Sequence, residues 1–146
     1  MTKICYNREG DLLFSAGKDK TPSVWYSING ERLGSYNGHN GTVWSIDINW
    51  DTTSFVSASA DSSVRVWDVQ LGQPKNIYSL EAPCRSCAFS YDGNMILYTN
   101  DDVMGKPCEL YLTDIRSRRK MNLRFNEIFF EIIYFCFFFS IRRSIS

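Results

Sequence analysis

The residue types that could do chemistry in this chain are few. His39 is the single histidine, and Ser57 and Asp61 follow it closely enough to suggest a base, a nucleophile and an orienting carboxylate. Cys84-x-x-Cys87 has the spacing of half a zinc site or of a redox pair. Asn40-Gly41-Thr42 matches a glycosylation acceptor, but no secretory leader is evident in MTKICYNREGD, so it reads as the start of a strand. Glycine-rich phosphate cradles are absent from the sequence.

The elements that must position these residues decide between the chemistries. A shift of 42 lays Leu12–Gly30 on Ser54–Gly72. Ser15, Ala16, Asp19, Val24, Trp25 and Gly30 then meet Ser57, Ala58, Asp61, Val66, Trp67 and Gly72, identical in type. A shift of 41 carries the second copy onto a third, with Asp51 on Asp92 and Asp61 on Asp102. The third copy holds five extra residues before Thr113, which stands where Trp67 stood. Within one period Val43–Ile48, Ser54–Ala58, Val64–Trp67 and Lys75–Leu80 read as four short strands separated by turn residues. No period of 3.6 persists over Met1–Ile115. The expected architecture is all-β: a four-stranded meander repeated along the chain.

Gly38-His39 at the head of the second copy and Val66-Trp67-Asp68 at the end of its third strand resemble the marks of the WD40 repeat. The resemblance implies a partial β-propeller with two complete four-stranded blades and most of a third. It divides residues 1–116 into blades at about 1–37, 38–79 and 80–116, leaving 117–146 outside the repeat. It also implies a structural polar chain of His39, Ser57, Asp61 and Trp67, with Ser15, Asp19 and Trp25 as partial equivalents in blade 1. Indole donates, a hydroxyl both donates and accepts, imidazole relays and carboxylate accepts, so each type suits its place. With its one histidine so employed, the chain has none left for a catalytic triad. Cys84 and Cys87 fall on one predicted strand, Cys84–Ser90, where residues three apart face opposite ways. They are expected to be small core residues rather than metal ligands. No cofactor, no metal and no catalytic residue is expected, and the chain is read as a non-enzyme.

Further strings narrow the resemblance. Tyr6-Asn7-Arg8-Glu9-Gly10-Asp11-Leu12-Leu13-Phe14, Val24-Trp25-Tyr26-Ser27-x-Asn29-Gly30-Glu31-Arg32-Leu33-Gly34, Gly38-His39-x-Gly41-x-Val43-Trp44 and Trp50-Asp51 resemble subunit I of eukaryotic translation initiation factor 3. Gly93-Asn94-x-Ile96, Met104-Gly105-x-x-Cys108 and Asp114-x-Arg116 extend it through the third copy. The resemblance implies a cytoplasmic, non-catalytic scaffold, here a fragment, that joins the other subunits of the factor and through them the small ribosomal subunit. Because the family's contacts lie largely in later blades, no partner-binding residue is assigned. A WD40 adaptor associated with serine/threonine kinase receptors shares the blades but fits these strings less well. A non-functional truncated product with a membrane-prone tail is the other alternative. Trp44, Trp50 and Tyr26 read as core between blades in preference to exposed anchors. The outer faces of the array are expected to be apolar and uncovered.

Composition agrees with a binding module. Sixteen Lys and Arg balance sixteen Asp and Glu, so direct nucleic-acid binding is not expected. Five scattered cysteines read as free thiols in a reducing compartment. Aromatic residues reach 15%, but seven of the ten Phe follow residue 124. There a basic cluster (Arg116, Arg118, Arg119, Lys120, Arg124) precedes an apolar run, Ile128 to Ile141, broken by Glu131. The run is shorter than the roughly 20 residues that span a bilayer. It reads as read-through or a frame change in preference to a short interfacial anchor or an additional structural element, and membrane association is not expected.

Overall fold

The structure, a computed structural model, describes residues 1–103, 105 and 107–123. The apolar run after residue 124 and Met104 lie outside the described residues. Twelve strands form three antiparallel four-stranded sheets, each a simple meander in chain order. The first holds β1 (Lys3–Tyr6), β2 (Leu12–Ala16), β3 (Ser23–Tyr26) and β4 (Arg32–Ser35). The second holds β5 (Val43–Ile48), β6 (Ser54–Ser59), β7 (Ser63–Asp68) and β8 (Pro74–Ser79). The third holds β9 (Cys84–Phe89), β10 (Met95–Asn100), β11 (Leu110–Asp114) and β12 (Lys120–Leu123).

Strand β6, buried at every position, gives the middle sheet two covered faces, and two clusters join the three sheets into a row. Phe14, Ala16, Val24 and Tyr36 of the first blade meet Val43, Ile46, Ile48, Phe55 and Trp67 of the second. Val56, Ala58, Val64 and Val66 of the second meet Cys84, Cys87, Phe89, Ile96, Tyr98 and Tyr111 of the third. The repeat also appears as contacts one period apart. Cys5 Sγ lies 3.5 Å from the Ile46 carbonyl, Cys87 Sγ 3.4 Å from that of Ser45, and the Phe89 amide donates to Asp47 at 2.8 Å. On the outer face of blade 1, Ile4 and Tyr6 hold the places of Ile46 and Ile48. They are 46% and 61% exposed, against 0% and 1% for those two.

Two expectations need correcting. The repeat does not end at Arg116: β12 pairs with β11 in the register Leu112↔Met121 and completes the third sheet. Its sequence, KMNL, alternates polar with apolar over only four residues, and so is lost beside the basic cluster. The turn before it is built like its predecessors. Asp68 and Asp114 each accept two backbone amides, and the left-handed place held by Gly30 and Gly72 is held by Arg118 at φ 55°. The second correction concerns Cys84 and Cys87, which share one face. Register slips between Thr99 and Asn100, so that Cys84 and Arg85 stand opposite Asn100. That bulge adds one residue and returns Cys87 to the side of Cys84.

Arg118 stores the strain that a Cβ meets in the left-handed region. Arg118→Gly is therefore expected to raise stability by about 1 kcal/mol, seen as a higher urea midpoint at unchanged slope. A lower midpoint would mean that the Arg118 side chain contributes more than its backbone costs.

Candidate functional site

The residues singled out by the sequence meet between the first two blades. His39 comes from the loop joining β4 to β5, Ser57 from β6, Asp61 from the β6–β7 turn, and Trp67 from β7. Trp67 Nε1 donates to Ser57 Oγ at 2.8 Å, and Ser57 Oγ lies 2.7 Å from His39 Nε2. His39 Nδ1 lies 2.8 Å from Asp61 Oδ2, which also accepts the Asn40 amide at 2.9 Å. Ser63 Oγ donates to the other Asp61 oxygen at 2.6 Å. Since indole can only donate, Ser57 accepts from Trp67 and its own proton goes to His39 Nε2. The proton of His39 is then on Nδ1, directed at Asp61.

The loop reaches this position because Gly41 has no side chain. A Cβ there would stand 2.7 Å from the Asp61 amide nitrogen and 3.0 Å from the Ala60 carbonyl carbon. Either distance is too close for the chain to pass without shifting.

Electrostatics keep the chain neutral in its middle and anionic at its end. Burial pushes the His39 ring below its usual 6.5; the hydrogen bond and charge of Asp61 oppose this, and Arg65 adds to it. Burial alone would raise the Asp61 carboxyl, but Ser63, the Asn40 amide and His39 together hold it at about 2. The His39–Asp61 contact is thus a hydrogen bond from neutral imidazole to carboxylate rather than an ion pair. Ser57 and Trp67 are 0% exposed and His39 is 6% exposed, so no substrate can reach the hydroxyl. A hydroxyl that cannot be reached does no acyl chemistry.

The other blades use fewer parts. In blade 1, Trp25 Nε1 donates to Ser15 Oγ at 2.9 Å, while Asp19 is exposed. In blade 3 the place of Ser57 is taken by Tyr98 and that of Trp67 by Thr113. Their hydroxyls lie 3.0 Å apart. Small-with-large has become large-with-small at similar total volume, a swap the sequence signals only once strand register is known. Cys84 and Cys87 are core thiols whose burial pushes both up to about 12. Among the described residues no group of three metal-ligating side chains occurs, and Cys5, Cys84, Cys87 and Cys108 are thiols outside any disulfide.

The three aromatic residues expected in the core lie elsewhere. Trp44 packs under the Arg85 guanidinium, 4.6 Å from its ring centre, Trp50 lies beneath Arg8 at 4.1 Å, and Tyr26 is 41% exposed. Trp44 occupies a bulge, since register slips between Val43 and Ser45. The bulge turns its ring out of the sheet alternation.

The family described as WD domain, G-beta repeat matches residues 30–68, which hold His39, Ser57, Asp61 and Trp67. Subunit I of eukaryotic translation initiation factor 3 from Nematostella vectensis is 52% identical over 117 residues, 80% of this chain. The same subunit from Danio rerio is 46% identical over 121 residues, 83% of this chain. This chain is a WD40-repeat relative of initiation factor 3 subunit I. It spans about a third of the length of those relatives, 36% and 37%. The Cps50 (Swd1) β-propeller domain of Myceliophteria thermophila superposes with a TM-score of 0.73 at 20% identity. It covers 84% of this chain and 38% of that one, a likeness of fold.

The polar chain makes two predictions. Ser57→Ala strands the Trp67 N–H and the His39 acceptor, costing about 2–4 kcal/mol in urea unfolding. His39, with its folded pKa lowered, makes a contribution that is complete above 6.5 and declines as pH falls below it, where the unfolded chain binds the proton first. Asp61 adds a second loss between 3.8 and about 2. Stability of the parent is expected to fall from pH 8 to pH 5, with a flatter profile for His39→Gln. Equal slopes in the two would contradict a neutral His39.

Proposed function

We propose that this chain is a non-catalytic scaffold of the translation initiation factor 3 complex. It presents WD40 blades to other subunits of that factor and, through them, to the small ribosomal subunit in the cytoplasm. The supporting observation is identity of 46–52% to subunit I across four-fifths of the chain. That is far more than sharing a blade architecture requires. Much of the distinguishing sequence lies in surface turns outside the two core clusters: Ser27, Asn29, Gly30 and Glu31 belong to one, and Arg8, Glu9 and Gly10 to another. Residues kept for packing belong inside; residues on loops suit recognition. The buried polar chain supports the same reading, because it ties the blade together and keeps the Ser57 hydroxyl out of reach. No helix among the described residues is long and apolar enough to cross a membrane.

The test is sedimentation. Tagged chain expressed in eukaryotic cells is expected to comigrate with initiation factor 3 subunits and with small ribosomal subunits in a sucrose gradient, and to be lost from those fractions at high salt. Absence from the fractions, in cells where tagged full-length subunit I is present in them, would show that this chain does not perform the role.

A further inference from the structure

The loop that delivers His39 to the polar chain reads Asn37-Gly38-His39-Asn40-Gly41, with an Asn–Gly pair on either side of the histidine. Asn–Gly is the pair at which an asparagine most readily cyclises onto its own backbone, because glycine has no Cβ to shield the attacking amide. A third such pair, Asn29-Gly30, stands in the turn between β3 and β4 and serves as a reference inside the same molecule.

The pairs differ in what holds their reacting atoms. In the turn, the Gly30 amide donates to the Tyr26 carbonyl at 2.9 Å. Asn29 Oδ1 accepts the Glu31 amide at 2.9 Å, and Asn29 Nδ2 donates to Glu31 Oε2 at 3.3 Å. Nucleophile and electrophile are both engaged there. In the loop, Asn37 and Asn40 are exposed to water. Among the described residues, neither of their carboxamides nor the Gly38 and Gly41 amides has a hydrogen-bond partner. The groups beside them are the ones that are held: the Asn40 amide donates to Asp61 at 2.9 Å, and the Gly41 carbonyl accepts Ser59 Oγ at 3.0 Å. A larger residue cannot take over the shielding. A Cβ on Gly41 would stand 2.7 Å from the Asp61 amide nitrogen, and one on Gly38 would stand 2.5 Å from an Arg65 guanidinium nitrogen. The glycines that let the histidine in are the same ones that leave the asparagines open.

We infer that Asn37 and Asn40 form a spontaneous deamidation site, which Asn29 escapes, and that the products loosen the seat of His39. In each pair the glycine amide gives up its proton and its nitrogen attacks the asparagine Cγ. The N–Cγ bond forms, the Cγ–Nδ2 bond breaks, and ammonia leaves carrying the proton that the amide gave up. Water then opens the cyclic imide at one of its two carbonyls. Opening at Cγ gives aspartate; opening at the main-chain carbonyl gives isoaspartate, whose backbone is longer by one carbon. Either product adds a carboxylate. At position 40 that charge is one residue's length from Asp61, which already accepts the Asn40 amide, and like charges oppose each other. The lengthened backbone has no slack to occupy, because Gly41 is hemmed in by Ala60 and Asp61.

The experiment ages the full chain at pH 8, folded in buffer and unfolded in concentrated urea. Peptide mapping by mass spectrometry locates each conversion, and enzymatic methylation of isoaspartate counts the lengthened product. In the folded chain Asn37 and Asn40 are expected to convert and Asn29 to lag about tenfold, since its bonds to Tyr26 and Glu31 must open first. In urea the three pairs are expected to convert alike. The aged folded chain is expected to show a lower urea midpoint. The Asn37→Gln, Asn40→Gln double variant, whose side chains would have to close a larger and slower-forming ring, is expected to keep its midpoint through the same interval. Retention of the amide at Asn37 or at Asn40, equal rates at Asn29 in the folded chain, the same lag of Asn29 in urea, or an unchanged midpoint after conversion would overturn the inference.

Discussion

Strand β6 is buried at all six of its positions, Ser54 to Ser59, and the rest of the molecule depends on that fact. A strand in a sheet with one wet face alternates; β10, the corresponding strand of blade 3, is buried at every second residue. Only the middle sheet, covered on both sides, can bury a continuous run. Its neighbours must therefore come close on both faces, and the polar side chains trapped between them must find partners among themselves. Ser57 is the consequence. At 0% exposure its hydroxyl has no water, so it is paired on both sides, to Trp67 and to His39.

That constraint explains why the polar chain is complete only in blade 2. Its histidine arrives on the loop between β4 and β5, within reach of Ser57 on β6 and of Asp61 in the β6–β7 turn. Blade 1 retains the Trp25–Ser15 bond alone, and Asp19 is in solvent. Blade 3 has the covering neighbour but a Leu and a Glu, Leu80 and Glu81, where the shifted histidine would fall. There Tyr98 and Thr113 pair with each other, satisfying two hydroxyls without a third partner. Stacking Tyr98 between Tyr78 and Tyr111, at 6.2 and 5.4 Å, fills the volume an indole would have taken.

How much of this was legible follows from which signals are periodic. The spacing of 42 and then 41 carried the three sheets, the turns and the four residues that meet around Ser57, because identical packing demands identical residues at a fixed interval. What the period does not encode was missed. A bulge changes side-chain direction without changing composition, so Cys84 and Cys87 read as facing apart, and Trp44 as core. Strand β12 alternates over only four residues, too short a run to stand out beside the basic cluster, and Arg118 hides the glycine that marks the same turn twice before. The exchange of Ser and Trp for Tyr and Thr keeps volume and polarity but not identity, so a search for matching letters passes over it.

Bulges and turns also decide what the rims present. Arg85 and Trp44 are the extra residues of equivalent bulges in blades 3 and 2, and the guanidinium of one lies over the ring of the other while holding Asp101 at 2.7 Å. At the opposite ends of the first strands, Arg8, Trp50 and Tyr91 repeat the pattern across the turns. In both places a cation and a ring from neighbouring blades meet at the surface, with carboxylates beside them. The interior of each blade is fixed by the need to cover its neighbour, which leaves little freedom there for recognition. Variation is tolerated at the rims, where a side chain answers to solvent and to its counterpart one period away. Ser57, bonded to Trp67 on one side and His39 on the other, ties β6, β7 and the preceding loop together, and so holds the rim residues of the blade at fixed spacing.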